Sequence, residues 1–240
     1  MKIRFIWEFA RFYGITALRR ATIYSIAIMA LPLTLLFVFY IISKGALLPY
    51  AIAGGMIAIV AGNALTIASD AAFFRLELRM QDLLVATQIG QTEYMLGMAL
   101  GDLIFSLPGI AVYLVLGFAF HIFTAYSLAL TAVILLFLAL STAALAFTLS
   151  SFVAHVRNVW GITTILSIGL TTLPPIFYPY TLLPNYVLWI FAISPATLAA
   201  MLAQGAYGLS PVSVNAAIAL VAETVLLFAA SLKFARWREL

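Results

Sequence analysis

Cysteine is absent from the 240-residue chain, which removes disulfides, thiolate metal sites and cysteine nucleophiles together. Charge is nearly as scarce. Only 8% of residues are charged against 65% hydrophobic, and the mean hydropathy is +1.16, whereas a water-soluble domain carries about a quarter charged residues. That shortage excludes water as the solvent of most of the chain. No G-x-x-x-x-G-K-[ST] loop occurs, so the chain has no means of its own to cradle nucleotide phosphates. The two histidines, His121 and His155, fall in loops on opposite sides of the expected membrane and cannot share a metal ion. No serine has a histidine and an acid suitably placed, and no carboxylates cluster at one membrane depth. Catalysis by the chain itself is therefore not expected, and no cofactor is called for.

What remains is apolar sequence in long pieces. In a bilayer every backbone N–H and C=O must be satisfied internally, which leaves helices or a closed barrel. The apolar runs here continue for roughly twenty residues without alternation, which selects helices. Six stretches have the length of a span, roughly Ala21–Ser43, Leu47–Ala68, Tyr94–Phe120, Tyr126–Phe152, Val159–Tyr178 and Val212–Leu232. Tyr24, Tyr50, Tyr94, Tyr126, Trp160, Tyr178 and Trp237 stand near their edges, where amphipathic rings suit the headgroup layer.

The net charge of +4 and pI near 9.4 do not indicate nucleic acid, because the basic residues sit at the ends of apolar runs. With both termini in the cytoplasm, Lys2, Arg4, Arg11, Arg19, Arg20, Arg75, Arg79, Arg157, Lys233, Arg236 and Arg238 all lie inside and Lys44 alone outside. The first apolar run is too long for a signal peptide and lacks a small-residue cleavage site, so the N-terminus is expected to be kept. The expected fold class is an all-α membrane protein, one transmembrane domain over residues 1–240 with about six membrane helices, multi-pass in the cytoplasmic membrane and in contact with its lipids.

Three segments depart from simple spans. Residues 1–20 read as an amphipathic interface helix, with Arg4, Glu8, Arg11 and Arg19 on one side and Ile3, Ile6, Trp7, Ala10, Tyr13 and Ala17 opposite. It serves as a lipid anchor or as a docking element. Residues 179–211 carry no charge, yet break at Pro184 and at Ser194-Pro195, a cap and first-turn pair. Two short external re-entrant helices fit, with Asn185 and Gln204 both expected to be reachable from outside. Residues 71–92 form the main cytoplasmic excursion. Leu76, Met80, Leu83 and Leu84 there fall at i, i+4, i+7 and i+8, with Arg75, Glu77, Arg79 and Asp82 at other positions. One short amphipathic helix over Arg75–Thr87 is expected, suited to a soluble partner or to resting on headgroups. Asp102 and Glu223 fall inside spans three and six, as pathway or gating residues or as neutral carboxyls bonded to a neighbouring helix. Pro32 and Pro108 mark expected kinks.

The order of these parts resembles the ABC-2 class of ATP-binding-cassette exporter permeases over nearly the whole chain. Glu77, the Leu83-Leu84 pair, Thr87 and Gly97 are similar to that family's stretch entering the third span, with Gln88 where the family often has proline. Pro174-Pro175, Leu183-Pro184 and Ser194-Pro195 resemble its external segment. The resemblance implies a homodimer or heterodimer of this subunit, two copies of an ABC-type ATPase subunit on the cytoplasmic face, and outward substrate movement along the subunit interface. It also implies an ATPase-coupling role for Arg75, Leu76, Glu77, Arg79, Met80, Asp82, Leu83, Leu84 and Thr87. The competing readings are a passive channel, a lipid scramblase or an ion-coupled carrier, in which Asp102 or Glu223 would handle ions, and a lipid-modifying enzyme.

Overall fold

The computed structural model describes residues 2–20, 22–153 and 155–234. The expected span edge at Ala21 and the terminal Arg236, Trp237 and Arg238 lie outside them. The described chain is helical without strands: α1 (Ile3–Ala10), a π-helical turn (Arg11–Ile15), α2 (Thr16–Arg20), α3 (Thr22–Ile42), α4 (Leu48–Leu76), α5 (Met80–Val85), α6 (Gln91–Ala119), α7 (Ala125–Phe152), α8 (Val156–Thr172), a 3-10 turn (Tyr180–Leu182), α9 (Asn185–Phe191), α10 (Pro195–Ala206) and α11 (Val214–Phe234). Five helices (α3, α4, α6, α7 and α11) are long and apolar enough to cross a membrane, and a sixth crossing is possible by length and composition.

Local chemistry sets the ends. The Thr124 hydroxyl accepts from the Ser127 N–H at 3.1 Å and Ser127 Oγ accepts from the Thr124 N–H at 2.9 Å, a capping box that starts α7. Glu93 reaches back to the Gly90 N–H at 3.1 Å and starts α6. Helix α8 is shorter than the expected fifth span, Val159–Tyr178. It stops at Thr172 because Pro174 and Pro175 carry no amide hydrogen to continue it, and its 17 residues cover about 25 Å. Pro32 and Pro108 lie within continuous helices.

Helix α4 is the axis of the bundle, packing against α3, α6, α7, α8 and α10. Small residues permit this. A Cβ on Gly54 would overlap the Ile176 carbonyl, one on Gly55 the Tyr113 ring, and Ala51, Ala58, Ala61, Ala64 and Ala68 are buried along the same helix. Where lipid supplies no hydrophobic drive between helices, such close backbone approach supplies dispersion contact instead. Helices α3 and α11 stay peripheral and mostly exposed.

The N-terminal helix lies against α6, not on lipid alone. Phe9 packs over Gly97 and stacks near Tyr94, and Gly14 abuts the Gly101 carbonyl. The expected apolar stripe needs correction: Ile6 and Ala10 are buried, whereas Ile3 and Trp7 are exposed and Phe9 takes the central place. The reason is the π turn at Arg11–Ile15, whose extra residue shifts the helical phase so that one 100° wheel cannot describe residues 3–17.

The excursion also differs from one helix over Arg75–Thr87. Helix α4 continues to Leu76, the chain breaks with Arg79 in left-handed conformation (φ 50°), and α5 holds only Met80–Val85. The Leu76, Met80, Leu83, Leu84 stripe is thereby divided. Met80 and Leu84 pack inward beside Phe74, while Leu83 is 69% exposed and Leu78 points outward with it.

Between α8 and α11, the axes of α9 and α10 differ in direction by 119°, a turn back rather than a bent crossing. Helix α10 is buried along most of its length against α4, α7 and α11. Gln204, 1% exposed, fastens it: Nε2 donates to the Pro175 and Tyr178 carbonyls at 3.0 Å each, and Oε1 accepts from the Tyr180 N–H at 3.1 Å and Ser210 Oγ at 3.2 Å. Its expected accessibility is therefore corrected. Ser194 stands at the cap position before Pro195, but its hydroxyl donates to the Leu170 carbonyl at 3.1 Å and forms no cap bond.

Side-chain bonds gather the loops at two ends. Lys2 Nζ donates to Gln88 Oε1 at 3.0 Å, Arg75 to the carbonyls that end α7, and Gln91 Nε2 to the Ser231 carbonyl at 2.7 Å. At the other end Tyr50 bonds the Leu209 carbonyl, Tyr207 bonds Thr131, and Tyr180 donates to the Pro211 carbonyl at 2.6 Å.

Candidate functional site: a polar cleft between α3, α4 and α8

Helices α3 and α8 both pack on α4, and between them lies a cleft of about 400 Å³. From α4 it is lined by Ala58, Gly62, Asn63, Thr66, Ser69 and Asp70, from α8 by Trp160, Thr163, Thr164, Ser167, Ile168 and Thr171, and from α3 by Tyr24 and the stretch to Pro32. Each set repeats at three- and four-residue steps, which brings it to one helix face. The cleft opens sideways: Trp160 is 55% exposed and Tyr24, Leu31 and Ile168 are also exposed.

Its hydroxyls are held mostly by their own helices. Thr164 Oγ1 donates to the Trp160 carbonyl at 2.8 Å and Thr171 Oγ1 to Ser167 at 2.6 Å. These back-bonds use the donor and leave lone pairs for a ligand. Ser69 and Thr163 hydroxyls meet at 3.1 Å and join α4 to α8. Behind the cleft Asn63 Nδ2 donates to Ser106 Oγ at 2.8 Å. Interhelical bonds of this kind average under about 1 kcal/mol in membrane proteins, so Asn63→Ala should lower the midpoint of thermal inactivation in detergent modestly, by about 1 kcal/mol in stability. An unchanged midpoint would show that this bond does not hold α4 to α6.

Asp70 is the one acidic residue lining the cleft. Tyr13, from the π turn, donates its hydroxyl to Asp70 Oδ2. Burial first, and the Asp70 charge second, raise the Tyr13 phenol well above its usual range, so it stays a donor across physiological pH.

The expected pathway residues lie elsewhere. Asp102 on α6 is 2% exposed, and its Oδ2 has no hydrogen-bond partner among the described residues. Glu223 on α11 is half-buried, and its Oε2 is likewise unpartnered there. Neither lines the cleft. Among the described residues no His, Cys, Asp and Glu group could hold a metal ion.

Of the expected coupling residues, Glu77, Arg79, Asp82, Leu83 and Thr87 are exposed on the excursion, whereas Leu76, Met80 and Leu84 are half-buried. Arg75 turns inward and donates to the carbonyls of Ser150 at 2.8 Å, Ser151 at 3.2 Å and Val153 at 3.1 Å. A guanidinium there satisfies the free carbonyls and the negative end of α7. Thr87 Oγ1 donates to the Leu84 carbonyl at 2.7 Å and accepts from the Ile89 N–H at 3.2 Å, shaping the turn into α6. Pro184 is exposed ahead of α9, while Ser194 and Pro195 are buried.

Sequence reasoning missed the cleft residues, although the signal was present. Asn63, Thr66 and Asp70 recur at i, i+3 and i+7, and Trp160, Thr163, Ser167 and Thr171 at i, i+3, i+7 and i+11, within otherwise apolar helices.

No curated protein matches the chain. Its residues 2–207, from the interface helix to just past α10, match the family model described as ABC-2 type transporter. The chain thus belongs to the ABC-2 type transporter family, and is a multi-pass permease subunit of an ABC transporter, not a catalyst in itself.

Proposed function

We propose that this chain is the membrane subunit of an ATP-driven exporter, in which two copies enclose a path along α3, α4 and α8 and a separate ABC-type ATPase drives substrate outward. The observation that carries the reading is the polar cleft itself. A hydroxyl-lined, carboxylate-bearing surface costs free energy against hydrocarbon, and a single chain leaves it open on one side. A second copy supplies the missing wall.

The energy source enters at the excursion. Helix α4 is continuous for 29 residues from the far end of the bundle to Leu76, about 44 Å, and the segment 77–90 joins it directly to α6. Force applied to that segment reaches the cleft through a rigid rod. Leu78 and Leu83 offer exposed apolar contact there, with Glu77, Arg79 and Asp82 at the rim, where charge sets orientation more than affinity. Co-purification from native membranes in mild detergent tests the reading: an ATPase should accompany the chain, and ATP-dependent substrate movement should require it.

Orientation follows from the gathering of loops. The end that holds Lys2, Gln88, Arg75 and the last turn of α11 also carries most of the basic residues, and positively charged loops stay in the cytoplasm. The α9–α10 pair then lies outside. Because the chain has no native cysteine, single cysteines are clean reporters. In intact cells Asn185→Cys should react with an impermeant thiol reagent and Lys2→Cys should not until the membrane is opened. The reverse pattern would invert the topology.

A further inference from the structure

We propose that the α3–α4–α8 cleft selects a lipophilic cation, whose positive centre pairs with Asp70 while its apolar body lies between Tyr24 and Trp160. The proposal deepens the reading of the cleft as a substrate path and rests on it for physiological meaning.

Four observations carry it. The cleft volume of about 400 Å³ falls in the range that takes a drug-sized ligand. Asp70 contributes its only acid, and no lysine, arginine or histidine lines it. The nearest basic residue along α4, Arg75, donates to the main-chain carbonyls that end α7. The cleft therefore carries a negative charge with no cation of its own set against it.

The remaining lining suits the same ligand. Thr164 and Thr171 spend their hydroxyl protons on their own helix, so their oxygens face a ligand as acceptors. The faces of Tyr24 and Trp160 attract a cation through the ring quadrupole and also receive apolar groups. An anion would meet a carboxylate and hydroxyl lone pairs and be repelled. A neutral apolar ligand would bury Asp70 without compensation. Tyr13 already donates to one Asp70 oxygen, which fixes the carboxylate in place without neutralising it.

The test uses the full chain in nanodiscs of zwitterionic phosphocholine lipid, with empty nanodiscs subtracted for partitioning. Equilibrium binding of tetraphenylphosphonium is compared with that of tetraphenylborate, its anionic counterpart of like shape, and with neutral triphenylphosphine oxide. The cation should bind roughly tenfold or more tighter than either. Asp70→Asn, which still accepts the Tyr13 hydrogen bond, should remove most of that preference. Asp70→Glu should keep it. Glu223→Gln, which removes a carboxylate outside the cleft, should leave it unchanged, and Trp160→Ala should weaken all apolar probes. Equal binding of the three probes by the wild type, or a preference that survives Asp70→Asn, would overturn the proposal. The comparison among probes on the wild type stands even if a variant fails to fold. No ATPase is present, so absent selectivity refutes the cation assignment alone, while selectivity without any associated ATPase refutes the exporter reading alone.

Discussion

Gln204→Leu is expected to destabilise the protein by about 4 kcal/mol or more and to free the α9–α10 pair from the bundle. Leucine has similar bulk, so the loss is of hydrogen bonding rather than volume. The Pro175 and Tyr178 carbonyls and the Tyr180 N–H lose their partner together, and each stranded buried polar group costs about 1–3 kcal/mol. The bond to Ser210 goes too. The thermal inactivation midpoint in detergent should fall steeply, and protease should cut within residues 173–213 under conditions that spare the wild type. Gln204→Glu keeps the two acceptor roles and loses both donors, so it should fall between. A Gln204→Leu protein as stable as the wild type would mean that α10 is held by apolar packing alone.

Leu83→Glu should weaken ATPase association by about 2 kcal/mol, roughly 30-fold, and abolish ATP-driven transport at ordinary subunit concentrations while leaving the chain folded. The side chain is exposed at 69%, so a charge there meets water in the free subunit and is buried only when a partner covers it. Leu84, one residue on, packs toward Phe74 and Met80, and Leu84→Glu should instead lower the stability of the chain itself. The pair separates docking from folding. Normal co-purification and substrate-stimulated ATP hydrolysis with Leu83→Glu would show that α5 rests on lipid and transmits nothing.

Much of the architecture was legible because hydrophobic run length is a strong signal in a bilayer. Helices α3, α4, α6, α7 and α11 overlap the expected spans, and the breaks at Pro184 and Ser194-Pro195 fall at the starts of α9 and α10. The misreadings have local causes. The π turn after Ala10 resets the phase of the N-terminal helix, and the left-handed Arg79 divides a stripe that sequence spacing alone joins. Fasteners such as Gln204 and Arg75 were unreadable, because their partners are main-chain carbonyls 26 to 29 and 75 to 78 residues away. The cleft sat between these cases. Threonine and serine that bond their own helix look nearly apolar in a hydropathy profile, and only their recurrence on one face of α4 and α8 marks them. Asp102 and Glu223 drew notice as charges within apolar runs, whereas Asp70, near a predicted span edge, was the carboxylate at the cleft.

The central claim, that a separate ATPase powers substrate movement along this subunit, is tested most directly by reconstituting the native complex into inside-out vesicles and measuring ATP-dependent substrate accumulation beside the subunit composition. The account predicts an ATPase in amounts equal to this chain, and accumulation that stops when ATP is withheld or when Leu83 carries a charge. Movement of equal rate by the chain alone, without ATP or an accompanying ATPase, would contradict it.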